Sequence, residues 1–400
     1  MKQLKKEHEG ISTILAFALI PLSGFAMDVY IPSFPHMATD LQISESDIKL
    51  TLSLYLVSYG ISQLFVGSIS DSFGRYRINI ISLMVLLLSS LAIAFSSDLN
   101  TILVLRFIQG IAISFIVVCK RAFFVDVFTG EKRKHYTSLV TVVWSTAPIV
   151  APFVGGYLQE SFGWRANFLF LALYAFIMLV LEWIYSGETI THRHPFKLKS
   201  VLSMYRQLLS APDFSLGIIV LGLCYSMVMV FGMSIAFIVE HEYHLTAVHT
   251  GYCALVSGLA MFFGGLLSKK HVNKPAFQKL QLSAVSQFIV MAIMLTTATV
   301  FHQLYIIMIF VFLIHFWLGY SYNTYFTYSL TSRPQYAATA SGLASGGSYV
   351  IFSIVSYIVV HVITIKDQLT LGLSYFSLIL CLQLLLLFVR KALQLRAYSA

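Results

Sequence analysis

The chain has 400 residues, of which 58% are hydrophobic and only 11% charged, with a mean hydropathy of +0.80. A soluble domain carries about 25% charged residues, so the composition excludes a water-exposed surface over most of the chain and puts lipid there instead. The net charge of +9 does not point to nucleic acid, because the Lys and Arg residues fall in short loops between apolar runs.

The N-terminal run Met1-Lys-Gln-Leu-Lys-Lys leads into an apolar stretch at 11–33 that passes through Asp28 to Pro32 and Pro35 without a small-residue cleavage pattern. It is expected as a retained first helix rather than a signal peptide. A spanning helix needs about 20 apolar residues, and runs of that length follow at 50–70, 78–97, 99–126, 135–159 and 165–186. A polar stretch, 187–213, comes next. Further runs lie at 214–239, 243–268, 338–362 and 368–389, and between them residues 280–332 hold no Asp, Glu, Lys or Arg in 53 positions. That is twice one span, broken at His302-Gln303. The expectation is an all-α membrane protein with twelve transmembrane helices in two six-helix bundles, residues 1–186 and 214–400, joined by a linker at 187–213.

Basic residues orient the spans. With the N-terminus inside, 20 of the 26 Lys and Arg residues fall on the cytoplasmic side, and only Lys49, Arg165 and Lys366 on the other. Both termini are therefore expected to be cytoplasmic, in the cell's inner membrane. Cys119, Cys224, Cys253 and Cys381 lie inside apolar runs at unrelated spacings, so neither a disulfide framework nor a metal site is expected. No cofactor is expected. The bilayer is the expected surround, and the expected state is a monomer.

Five stretches in order resemble the major facilitator superfamily, and the match runs along the whole chain. Gly67-Ser-Ile-Ser-Asp71-Ser-Phe-Gly74-Arg75-Tyr-Arg77 is similar to the signature between helices 2 and 3. Arg106-Phe-Ile-Gln109-Gly110 resembles the buried-arginine motif of helix 4. Ala147-Pro148-Ile-Val-Ala151-Pro152-Phe-Val-Gly155-Gly156 resembles the antiporter motif of helix 5, with Ala151 where glycine is usual. Asp28-Val-Tyr-Ile-Pro32-Ser-Phe-Pro35 and Arg121-Ala-Phe-Phe-Val-Asp126-Val-Phe resemble the drug:proton antiporters of the Bcr/CflA type. Gly265-Leu-Leu-Ser-Lys269-Lys270 is a remnant of the loop signature in the second half. Ile20 stands where some related antiporters carry a second acid.

Ionisable groups inside the hydrocarbon are costly and are functional candidates by default. Asp28 lies roughly 25 Å into helix 1 at ~1.5 Å per residue, and Arg106, early in the descending helix 4, falls at similar depth. Burial and the guanidinium act on that carboxyl's charge in opposite directions, poising it to exchange protons; the alternative is a carboxylate that caps the helix or faces water. Asp71, Arg75 and Asp126 form a second group at the inner ends of helices 2 and 4. The resemblance assigns such residues to a gate, with the helix beginning after Arg333-Pro334 offering its positive end to Asp71; the alternative is a set of solvated loop charges that obey the positive-inside rule. Arg121 either snorkels or pairs with Asp126 or Asp71. Pro148, Pro152, Gly155 and Gly156 are expected to make helix 5 pliable and allow close approach, the alternative being that Gly and Pro are simply commoner in spanning helices.

His315, midway along the tenth helix, either titrates with transport or is a hydrogen-bonded packing residue. Tyr55, Tyr59 and Gln63 share one face of helix 2, and Tyr225 and Met229 share one of helix 7. With Tyr320 of helix 10 they offer aromatic and Met surface to amphipathic molecules, or else pack helices. The leading reading is a proton-coupled secondary transporter that exports small amphipathic compounds by alternating access, as in multidrug efflux. Its competitors are export of an endogenous metabolite such as a siderophore and, from another class, a membrane-embedded lipid-modifying enzyme. That enzyme would need a clustered His, acid or Ser constellation; His192-Arg193-His194, without an acid pair, is the nearest approach. A channel would need a filter or a ring of like charges.

Overall fold

The computed structural model describes residues 2–190, 198–331 and 337–399. The chain divides into two compact units, Met1–Leu198 and Lys199–Ala400. Secondary structure is helical throughout the described residues, apart from one isolated parallel bridge between Gln3 and Glu188.

In the first unit the expected opening span is broken. Helices α1 (Glu9–Leu19) and α2 (Leu22–Asp28) are separated at Ile20-Pro21, and a 3₁₀ turn at Ile31–Ser33 leads into α3 (Phe34–Asp40). Pro21 has no N–H to continue the ladder; its carbonyl instead starts α2 by accepting from Gly24 and Phe25. Then follow α4 (Glu45–Phe73), α5 (Arg75–Ala94), α6 (Leu99–Val127), α7 (Gly130–Phe162) and α8 (Arg165–Tyr185). A reciprocal Ser44–Asp47 capping box starts α4. Asp98, outside the spans, caps α6 and accepts from the Thr101 hydroxyl and amide at 2.7 Å, which holds its carboxyl below the usual range.

The second unit contains α9 (Leu198–Leu209, whose first residue closes unit 1), α10 (Pro212–Phe237), α11 (Ala247–Lys270), α12 (Ala276–Thr297), α13 (Leu304–Thr331), α14 (Ala337–Val362) and α15 (Gln368–Ser399). A π-turn at Ile238–Glu242 ends α10. The same pairing recurs within each unit. In the first, α4 packs on α6, α5 on both α6 and α8, and α2 on α7; in the second, α11 packs on α13, α12 on both α13 and α15, and α10 on α14. Glycines close the equivalent crossings. A Cβ on Gly110 of α6 would stand 2.3 Å from the Tyr55 carbonyl of α4, and one on Gly264 of α11 would stand 1.8 Å from the Phe316 carbonyl of α13. These backbones touch because no side chain intervenes.

Eleven stretches among the described residues are long and apolar enough to cross a membrane. They match eleven of the twelve expected spans. The remaining one, α7, is 33 residues long, and its segment 135–159 carries no Asp, Glu, Lys or Arg. Large apolar side chains such as Leu88, Leu173, Phe176 and Phe388 project from the surface. Around a bilayer that outward apolar layer meets lipid rather than water.

Candidate functional site

The first constellation is built where α2, α4, α6 and α7 meet. Arg106 of α6 is fully buried and stacks between two aromatic rings, its guanidinium carbon 4.3 Å from the Tyr30 centroid and 4.4 Å from that of Tyr55. Its Nη1 donates to the Ala26 carbonyl at 3.1 Å and to Gln109 Oε1 at 2.8 Å, and Gln109 Nε2 donates to Ser90 Oγ of α5 at 2.9 Å. The bond to Ala26 sets the guanidinium level with the last turn of α2, which carries Asp28. Tyr55 Oη in turn donates to the Ser23 carbonyl at 3.0 Å, tying α4 to the same helix.

Asp28 is 5% exposed, so it does not face open water, and its Oδ2 is buried without a hydrogen-bond partner. Nε and Nη2 of Arg106 also lack partners, and no ion pair within 4.0 Å joins the two groups. Both lie within electrostatic reach of Tyr30 and Tyr55. An acidic and a basic side chain thus share one aromatic compartment without a direct ion pair.

The backbone around Asp28 is gripped by α7. Trp144 Nε1 donates to Ser23 Oγ at 3.2 Å, a Cβ on Gly24 would stand 2.5 Å from the Ala147 Cβ, and one on Gly155 would stand 1.6 Å from the Val29 carbonyl. Pro148 and Pro152 lie inside the helix between these contacts, and Ala151 and Gly156 are buried beside them. The motif is therefore a seam of small residues against the half-helix that ends in Asp28.

At the other end of α4 and α6 stands the second constellation. Gly74, at φ +98°, makes the turn between α4 and α5 that a side chain would disfavour, and Arg75 begins α5. Arg75 Nη1 donates to Asp126 Oδ2, and Nη2 donates to Asp71 Oδ1 at 3.0 Å. Both carboxylates expected near Arg121 are thus taken by Arg75. Arg121 instead lies 5.9 Å from the Trp144 ring and within electrostatic reach of Tyr59. The Arg333-Pro334 helix start and the run His192–His194 lie outside the described residues.

A third polar group was not singled out from sequence. Lys120 of α6 and Glu182 of α8, both buried, form an ion pair at 2.6 Å, and Asn79 Nδ2 of α5 donates to the same carboxylate oxygen at 3.1 Å. Its only sequence signal is an acid within the run 165–186, at the end where helices ordinarily carry charge.

In the second unit the candidate residues fall into separate clusters. Fully buried His315 joins Ser257 Oγ through Nδ1 at 2.7 Å and Tyr375 Oη through Nε2 at 3.0 Å, with Phe231 edge-on at 5.3 Å. It ties α10, α11, α13 and α15 together, which is the packing arrangement. Tyr320 Oη meets His271 Nδ1 at 3.0 Å. Desolvation, with Lys274, Lys279 and Lys270 nearby, holds His271 below the usual histidine range. Tyr225 packs on Phe352 and Tyr322 at 4.8 and 5.7 Å, and Met229 is buried one turn on. In α4, Tyr55 and Tyr59 stack at 6.1 Å, and Gln63 is buried one turn beyond.

Comparison with known proteins identifies the family and the fold. Residues 16–357 match the family model described as Major Facilitator Superfamily. An uncharacterised transporter of that type from Bacillus subtilis, YdgK, is 28% identical over 88% of this chain and 89% of its own length. A bicyclomycin resistance protein homologue from Haemophilus influenzae is 28% identical over 72% of this chain and 73% of its own. Multidrug resistance protein D of Escherichia coli is 30% identical over 42% of each chain. Among solved structures, a bacterial homologue of the lysosomal transporter Spinster superposes with a TM-score of 0.75 over 97% of both chains at 12% identity. A D-xylose–proton symporter gives 0.72 over 95% of both chains at 14% identity, so the likeness extends to the fold. With apolar spans, repeated pairing and a family match over most of its length, the chain belongs to the Major Facilitator Superfamily and is a multi-pass membrane transporter rather than an enzyme.

Proposed function

We propose that this transporter exports small amphipathic compounds in exchange for protons, as a multidrug-type antiporter of the cell's inner membrane. Asp28 carries the proton and Arg106 acts as its electrostatic neighbour, while Asp71, Arg75 and Asp126 form a charge cluster that gates the cytoplasmic end of the first unit. The α7 seam with Pro148, Pro152, Gly155 and Gly156 transmits movement to the proton site. Twelve spans in two six-helix bundles, residues 1–186 and 214–400, are joined by a cytoplasmic linker at 187–213, with both termini inside. The aromatic and Met surfaces around Tyr59, Gln63, Tyr225 and Met229 contact substrate.

One observation carries the reading. Asp28 is a buried carboxyl in the first span, with an oxygen that lacks a protein partner, level with a buried guanidinium that also has unsatisfied donors. An ionisable group inside a membrane is costly and a functional candidate by default, and a carboxyl that is not locked in an ion pair remains available to a proton. The resistance proteins named above as relatives support drug-like cargo.

The test is proton flux in proteoliposomes under an imposed pH gradient, read with a pH-sensitive dye as an amphipathic cation such as ethidium is added. The native protein is expected to give cation-dependent proton movement, and Asp28→Asn to insert normally but give none. Full gradient-driven exchange by Asp28→Asn would refute the assignment. Native protein that moves protons only with another class of compound would keep Asp28 and replace the cargo.

A further inference from the structure

The Asp71–Arg75–Asp126 cluster extends beyond the three helices that carry it, because the chain leaving α8 returns to it. Glu188 is buried, and its Oε1 accepts from three backbone amides: Arg75 at 3.2 Å, Thr189 at 3.1 Å and Ile190 at 3.2 Å. Thr189 Oγ1 donates at 2.8 Å to Asp126 Oδ2, the same oxygen that Arg75 holds.

The backbone of Glu188 is itself fixed from the N-terminus. Its amide donates to the Lys2 carbonyl at 2.8 Å, and its carbonyl accepts from Leu4 at 3.2 Å, which makes the isolated bridge with Gln3. A Cβ on Gly187 would stand 2.5 Å from backbone atoms of Gln3 and Leu4, so the two segments lie in direct backbone contact. Lys2 Nζ donates to the Trp183 carbonyl and, at 2.8 Å, to that of Ile184, at the end of α8 where the helix dipole favours a cation.

The chemistry has a clear logic. The first amides of a helix have no partner within it, and the residue preceding α5 is Gly74, which has no side chain to offer. Glu188 supplies that cap from a different part of the chain, to the residue whose guanidinium holds Asp71 and Asp126 together. A carboxylate at a helix N-terminus is favoured by the dipole as well as by the hydrogen bonds.

We propose that Glu188 and Thr189 are positioning residues of the charge cluster, strapped in place by the extended segment Lys2–Leu4. Glu188 seats Arg75 on the first turn of α5, and Thr189 turns the Asp126 carboxylate toward it. This rests on the gating role proposed above for Arg75 and Asp126.

The experiment uses the full chain in membrane vesicles with Cys224, Cys253 and Cys381 changed to Ser. That leaves Cys119 of α6, a buried thiol within electrostatic reach of Arg75 and Glu188, as a native reporter of the cluster. Its reaction rate with a small permeant maleimide measures how often the cluster opens. Arg75→Gln is expected to raise that rate, and so are Glu188→Ala, Thr189→Val and Gly187→Val, by about tenfold where a charge-assisted hydrogen bond is lost. A parallel set that retains only Cys253, buried in the second unit, is expected to stay unlabelled throughout, which separates opening of the cluster from general loosening. If Arg75→Gln opens Cys119 while the Glu188, Thr189 and Gly187 variants keep the native rate, the strap is overturned and the gate stands. If Arg75→Gln has no effect, the gate falls, and the strap with it. Equal gains at Cys119 and Cys253 would reduce Glu188 and Thr189 to general stabilising contacts and overturn the positioning role.

Discussion

Replacing Gly155 by Ala tests the α7 seam most directly. The added Cβ would stand 1.6 Å from the Val29 carbonyl oxygen and 2.6 Å from its carbon, whereas real Cβ contacts begin at 3.0–3.4 Å. Between 1.4 and 1.8 Å must therefore be opened (3.0 − 1.6 and 3.4 − 1.6), and the obstacle is backbone rather than the end of a flexible side chain. Overpacking a well-filled site costs about 1–3 kcal/mol; a backbone obstacle puts this substitution near 3 kcal/mol. The displaced residue lies between Asp28 and Tyr30, the ring on which Arg106 stacks, so proton-coupled exchange is expected to fall with stability. Gly67→Ala in α4 is the matched control, since its Cβ meets nothing within 4 Å and Ala gains up to about 1 kcal/mol of helix propensity. Melting in detergent and exchange in proteoliposomes measure the two effects. A Gly155→Ala protein that melts and transports like the native one would show that the seam is not tight, and equal damage from Gly67→Ala would show that the cost is not steric.

Glu182→Ala leaves Lys120 buried without its partner and is expected to cost roughly 3–5 kcal/mol, whereas Lys120→Met with Glu182→Leu recovers most of the loss. A double variant as unstable as the single one in detergent melts would contradict this. His315→Ala removes hydrogen bonds to Ser257 and Tyr375 and is expected to lower stability by roughly 1–3 kcal/mol while leaving the pH profile of transport in place; a shifted profile would assign His315 a titrating role. Arg106→Lys keeps the charge but loses the planar group stacked on Tyr30 and Tyr55, so coupled exchange is expected to drop steeply. Native exchange by that variant would mean that charge alone suffices.

Legibility of the sequence depended on where each charge lay along an apolar run. Asp28 and Arg106 lie inside their runs, where lipid leaves an ionisable group few alternatives, and they stand out from residue type alone. Lys120 and Glu182 lie near run ends, where charged side chains ordinarily reach headgroups, so nothing local marked them as partners across α6 and α8. In the sequence Glu188 and Thr189 open a polar linker and Lys2 is one of several basic residues near the N-terminus, because only the folded backbone returns them to Arg75. Pro21 was visible, but prolines are tolerated in spanning helices, and the break between α1 and α2 does not follow from its presence. The aromatic stripes had the right spacing to share a helix face. Spacing could not say that Tyr55 would stack on Arg106, or that Tyr320 would turn to His271.

The interruption at Ile20-Pro21 gives the two halves of the opening span different neighbours beside α6, which both touch. Helix α1 is moored to α8, with Ser12 Oγ donating to the Tyr185 carbonyl at 3.1 Å and Tyr174 Oη to the Ala18 carbonyl at 2.7 Å. Helix α2, only seven residues long, is held by α7 and by Arg106. Under the proton role proposed for Asp28, its change of charge is felt first by a seven-residue helix and by α7 beside it rather than by the whole span.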